Sequence, residues 1–227
     1  LEELNQSYRL RSYQRCRAAD SMGWHGGSRA ENPEVYIEKM AAWARTHSDD
    51  SAHLLVTMSV DSARQLHGIV TEAVHGAVLV EHPGSWPSDN LGKGDFLVAS
   101  AGAISLFEEK FYGESACSIQ VLVAERSSRI AEDRRSLHFL HLPFFSTART
   151  ELLIRGDSEL FEGGITWDIR GLVARIRLKS SARLLEWAVR SAQRKKSRAL
   201  LNMRRNLLDH DSGMEGLLSF SGKGLYK

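Results

Sequence analysis

The chain has 227 residues, 42% of them hydrophobic and 26% charged, enough to bury one large core or two small ones. Thirty Lys and Arg against 28 Asp and Glu leave a net charge of +2. That balance excludes attraction to a polyanion through total charge, so any such attraction has to come from local clustering. No apolar run approaches the roughly 20 residues of a membrane span. The opening residues, LEELNQSYRLRSYQRC, lack the apolar middle of a secretory signal. Cys16 and Cys117 are the only cysteines, with neither a disulfide framework nor zinc spacing. They read as reduced thiols and place the chain in an intracellular, reducing compartment.

Residues 1–31 read as an N-terminal arm. Arg9, Arg11, Arg15 and Arg17 are interleaved with Tyr8 and Tyr13, a pattern that grips phosphate and stacks on bases, or packs on a neighbour. Met22 to Gly27 reads as a turn anchored by Trp24. Asn32-Pro33 then opens a helix, with Asn as cap and Pro in the first turn, and Ile37, Met40, Ala41 and Ala44 as its inner face.

The next unit is strand, helix, strand. HLLVTMSV (53–60) is an apolar β-rich run, and Asp61 caps a helix with Ala63, Leu66, Ile69, Val70, Ala73 and Val74 on one side. Gly76 ends that helix, and AVLVE (77–81) is the second strand. The whole, 53–81, reads as a βαβ unit or its split version. His67 and His75 read as exposed helix histidines. HPGSWPSDNLGKGD (82–95) is a long loop. Phe96 to Ser100 and Ala103 to Phe107 read as two strands turned at Gly102.

Between Gly113 and Lys179 the pattern predicts only strands: 118–125, 137–145, 150–155 and 165–179, with the charged link RSSRIAEDRR between the first two. In the last of them polar and apolar residues alternate at 165–170 and again at 175–179, which reads as a sheet with one wet face, basic toward its end. Arg170, Arg175, Arg177 and Lys179 extend the positive surface of the helix that follows. The fold expected is a single α+β domain over 32–212. It has a mixed or antiparallel sheet, the βαβ unit at 53–81, packed helices and a long basic C-terminal helix. A Gly-rich tail follows at 213–227.

That helix, 181–209, is the most lopsided stretch in charge. Leu185, Val189, Ala192, Ala199, Leu200, Met203 and Leu207 recur at spacings of three, four and seven and mark one apolar face. Lys196 falls on that face, so it either snorkels or marks a break between two shorter helices. Arg183, Arg190, Arg194, Lys195, Lys196, Arg198, Arg204 and Arg205 stand against Glu186 alone before Asp209. With Arg175, Arg177 and Lys179 they are the candidate contacts to phosphates or an anionic surface. The alternative is a solvated face paired with acidic neighbours.

One constellation suggests catalysis. Asp95 lies at a predicted strand start, and Glu108-Glu109-Lys110 follows the apolar ISLF. This resembles metal-dependent nucleases of the PD-(D/E)xK type, although Gly94 stands where that pattern has Pro. The resemblance covers residues 95–110 only. It implies Mg²⁺ held by Asp95 and Glu108, with Lys110 steadying water or the scissile phosphate. It requires Glu108 and Lys110 on one strand face. His138 and His141, three apart on a predicted strand, face opposite sides and so do not share an ion.

The function expected is a non-enzymatic binding and assembly protein without a cofactor. Its basic surface would meet RNA, DNA or an anionic membrane, as in a viral matrix or nucleocapsid component or a ribonucleoprotein subunit. It would work as a homo-oligomer or within a larger assembly. The alternatives are the Mg²⁺-dependent nuclease, and a scaffold subunit whose basic helix meets an acidic protein.

Overall fold

SAHLLVT, FLVAS and SIQVLV carry apolar residues on both of their alternating faces, and such runs demand cover on both sides. The computed structural model describes residues 24–82, 85–86, 91–106, 108–155, 160, 185–186 and 188–203. It supplies that cover on both faces of one six-stranded sheet. The strands are β1 (Gly26–Ala30), β2 (Ser51–Thr57), β3 (Val78–Val80), β4 (Phe96–Ser100), β5 (Ser118–Val123) and β6 (Arg149–Arg155). Their order is β1-β6-β5-β2-β4-β3, and every pairing is parallel.

The expectation of a mixed or antiparallel α+β sheet is therefore overturned: the architecture is α/β. Alternate residues along each strand enter opposite cores. Leu54 and Val56 of β2, Leu97 and Ala99 of β4, Val121 and Val123 of β5 and Leu152 and Ile154 of β6 face one side. Leu55, Phe96, Val98, Leu122 and Leu153 face the other. A sheet covered on both faces leaves no wet face, which is why alternation of polar and apolar residues fails as a guide to these strands.

Helix α1 (Pro33–Ala44) starts where Asn32 Oδ1 accepts the Val35 N–H, and α2 (Val60–Thr71) starts where Ser59 caps Ser62. Both pack on the second core. Tyr36, rather than the expected Ile37, turns inward on α1, because its hydroxyl donates to the Ala124 carbonyl at 2.9 Å. Helices α3 (Ala101–Ser105) and α4 (Ile130–Ser136) lie with the first core. So do Leu185, Val189 and Ala192 of the C-terminal helix, α5, whose described helical residues include 188–203. The chain moves from β1 through β2 to β3 over one face and returns through β4, β5 and β6 over the other. A uniform crossover hand demands that exchange of faces.

Several local expectations change with the architecture. Ala103–Phe107 is not a strand: Ser100 caps Ala103 N–H, and the backbone turns into α3. LHFLHLPFF is not a strand either. It forms two 3-10 turns, His138–His141 and Pro143–Phe145, whose Phe139, Phe144 and Phe145 pack as an aromatic cluster that includes Phe111. The charged link RSSRIAEDRR holds α4. Gly26–Ala30, expected within an arm, is an edge strand hydrogen-bonded to β6. The unit 53–81 does form strand, helix, strand, but β4 lies between β2 and β3, which makes it split. The strand expected at 165–179 and most of the tail lie outside the described residues.

Ile69 is half-buried against the second core rather than at its centre. Replacement by Ala is therefore expected to cost about 1–2 kcal/mol, below the full range for a buried isoleucine. Urea denaturation checks this, and a cost under about half a kcal/mol would place the side chain in solvent.

Candidate functional site

In an open parallel sheet, the crevice lies at the carboxyl ends of the strands where consecutive connections diverge. Here that point is between β2 and β5: the chain leaves β2 toward β3 and leaves β5 toward β6. The backbone at that point is Thr57, Met58 and Ser59 at the end of β2 and Ala124, Glu125 and Arg126 after β5. Hydrogen bonds tie the two sides together. A Glu125 carboxylate oxygen accepts the Met58 N–H at 3.0 Å, and the Ala124 N–H donates to the Val56 carbonyl at 2.8 Å. Tyr36, buried, bonds to the Ala124 carbonyl beside it. Burial, reinforced by Glu125 and opposed by Arg155, pushes its hydroxyl pKa well above the ordinary value, so it stays a hydrogen-bond donor.

Behind the crevice, Arg126 is the centre of a buried ion network. Its Nε and Nη2 form a fork on Asp133 at 2.9 and 2.6 Å, and its Nη1 reaches Glu186 at 2.6 Å. Arg190 closes the other side of Glu186 at 2.8 Å. The guanidinium also lies 5.5 Å from the ring centre of Trp24. Burial works against the ionised form of Glu186, but Arg126 and Arg190 more than offset it and hold the carboxyl below its ordinary pKa. Burial likewise pulls the pKa of Arg126 down, and Asp133 and Glu186 carry it above the ordinary arginine value. Further along α5, the Gln193 amide donates to the Ser127 carbonyl at 2.8 Å. These bonds fasten the first half of α5 to the loop leaving β5.

After Gln193 the helix changes character. Residues 185, 186, 188, 189, 192 and 193 are buried, whereas Arg194, Lys195 and 198–203 are exposed. Leu200, Leu201 and Met203 are 58, 42 and 64% exposed, although Leu200 and Met203 are expected on the packed stripe. Residues 188–203 form one continuous helix, with Lys196 half-buried, so it does not break there. Arg190, Arg194 and Arg198 stand four apart and form one column. Arg190 is committed to Glu186, which leaves Arg194 and Arg198 as its exposed members. Arg183, Arg204, Arg205, Arg175, Arg177 and Lys179 lie outside the described residues.

No family model matches the chain, and no curated protein matches it. One solved structure that superposes on part of it is the C-terminal domain of a possible DNA helicase from Lactobacillus plantarum WCFS1. The identity is 14% and the TM-score 0.36, over 57% of this chain and 71% of that one. A superposition of that quality fixes neither fold nor activity.

The nuclease-like residues do not form the pattern that suggested them. Asp95 precedes β4 at the amino edge of the sheet, where its carboxylate accepts the Gly92 N–H at 2.7 Å and shapes a turn. Glu108 and Lys110 lie on a 3-10 turn, Glu108–Phe111, that follows α3. At three residues per turn, positions two apart diverge instead of sharing a strand face. Among the described residues, no three His, Cys, Asp or Glu side chains converge as a metal-holding group. His138 and His141 are both exposed on their 3-10 turn, not split between core and solvent. No described helix is long and apolar enough to cross a membrane.

Two clusters have no counterpart in the sequence patterns. The Arg126 network joins residues 60 positions apart and has no periodic signature; the only hint is Glu186, the lone acid in a basic helix. The second is a buried aromatic cluster at the amino edge. His53 stacks on Phe96 with centroids 5.6 Å apart, meets the edge of Trp43, and brings its Nδ1 to 3.0 Å from Nδ1 of His47.

Proposed function

We propose that this chain is a nucleic-acid-binding α/β domain that contacts the phosphate backbone through the outer half of α5. The observation that carries the reading is the break in burial after Gln193. The packed half of the helix is held by a buried ion network, and the same helix continues with Arg194, Lys195 and Arg198 exposed within five residues. Cations on a fixed helix suit phosphate better than cations on a loose segment, because less side-chain and backbone freedom is lost on binding. Such contact supplies affinity without reading sequence.

The test is binding of fluorescent single- and double-stranded oligonucleotides across a salt series. The double replacement Arg194→Ala and Arg198→Ala is expected to weaken binding equally for unrelated sequences. The slope of log affinity against log salt should flatten by about 0.7–0.9 for each phosphate that the variant no longer neutralises. Unchanged affinity and slope would refute the reading. Binding to vesicles of anionic lipid with none to oligonucleotides would assign the surface to a membrane instead.

A further inference from the structure

The hydrogen bond between Gln193 and Ser127 brings a second cation to the outer half of α5. Ser127 is held four times: its N–H by Asp133 at 3.0 Å, its carbonyl by Gln193 at 2.8 Å, and its hydroxyl by Glu132 at 2.8 Å and by the Arg129 N–H at 3.1 Å. The loop leaving β5 therefore has a fixed path beside the helix at the point where burial ends. Arg129 is the next cation on that path, two residues beyond Ser127, as Arg194 is one residue beyond Gln193 on the helix. Arg129, Arg194 and Arg198 are all exposed, and the described structure gives none of their guanidinium groups an ion-pair or hydrogen-bond partner. Arg126, the other arginine of the loop, points inward and is consumed by Asp133 and Glu186. The two arginines thus have separate tasks: one fixes the loop to the helix, the other is left facing out. Glu132, in the first turn of α4, accepts a hydrogen bond from the Ser127 hydroxyl.

We infer that the loop leaving β5 and the outer half of α5 form one composite phosphate-binding surface, with Arg129 as a contact residue and Gln193 as the positioning residue that sets the spacing of the two cationic elements. The inference rests on the proposed role of α5 and extends it to a segment that sequence patterning reads as a charged link.

The experiment measures oligonucleotide affinity across a salt series for the full chain and its variants. Arg129→Ala is expected to weaken binding several-fold and flatten the salt slope by about 0.7–0.9. Arg129→Lys is expected to keep the wild-type slope, since a point charge still neutralises phosphate. Gln193→Ala leaves every exposed cation in place, and is expected to weaken binding and flatten the slope by loosening the spacing. A loss of stability alone would not move the slope of the folded protein. Arg45→Ala, at the end of α1 on the opposite face of the sheet, controls for net charge and should change little. If Arg129→Ala binds with wild-type affinity and slope while the Arg194 and Arg198 double variant is weakened, the composite surface is refuted and the helix reading stands. If the double variant binds normally, the reading of α5 fails, and this inference fails with it.

Discussion

Arg126→Met is expected to destabilise the protein by about 3–5 kcal/mol, the range for breaking a buried ion pair by removing one partner. The magnitude follows from what is left behind. Asp133 and Glu186 have side chains 3 and 12% exposed, and Arg126 is the only cation the described structure gives to Asp133. Without it, Asp133 keeps only the Ser127 N–H, and Glu186 keeps only Arg190. Met retains most of the apolar stem, so the effect isolates the charge from packing. Urea denaturation with an unchanged m-value measures it. A loss under about 1 kcal/mol would mean that α5 is held by Leu185, Val189, Ala192 and the Gln193 bond to Ser127 rather than by the ion network. The network also sets a sign for pH. Glu186 has a folded pKa below its unfolded one, so its contribution is present above the ordinary carboxylate range and is lost as pH falls through the folded value.

How much of this is legible in the chain depends on the range of the interaction. The cap at Asn32, the inner face of α2 and the apolar runs of β2, β4 and β5 are local, and the sequence shows them. The cap at Ser100 is equally local, but Gly102 beside it suggests a hairpin turn, where in fact it sits inside a helix. The direction of the strands is not legible. HLLVT reads the same in a parallel and an antiparallel sheet, and only its partners on both sides decide. Phe139, Phe144 and Phe145 mislead because aromatic enrichment raises strand propensity, whereas their burial comes from packing around Phe111 on short turns. The stripe of α5 is legible as a period, but period says nothing about where burial along a helix ends. Its inner members are buried, while Leu200 and Met203, on the same stripe, are bare. The Arg126 network depends on two carboxylates arriving from α4 and α5 at one strand end, which no short-range pattern encodes.

Stability is expected to fall by up to about 3 kcal/mol between pH 6.5 and 4 on account of His53 alone. His53 lies fully buried on β2, with its pKa pushed down to about 4 by burial first and by the neighbouring His47 second. The hydrogen bonding gives the reason. With Nδ1 of the two rings 3.0 Å apart, one donates and the other accepts. Nε2 of His53 is buried without a partner, so the tautomer that avoids burying an unpaired N–H places the proton on Nδ1, donating to His47. Protonating His53 would then add an N–H on Nε2 that has no acceptor, on a ring packed against Trp43 and Phe96. The unfolded chain takes up that proton near pH 6.5, and the native chain does so only near 4. Stability from this residue is therefore complete above about 6.5 and drains away as pH falls toward 4. Carboxylates titrate in the lower part of the same window, so the measurement is a comparison of urea stability at about pH 7 and about pH 4.5 for wild type and His53→Gln, which keeps a neutral polar side chain of similar size. The variant is expected to be less stable at the higher pH and to lose less on acidification. Equal losses in the two proteins would show that His53 is protonated in the folded state without cost, and that the buried pair with His47 does not set the acid limit of the fold.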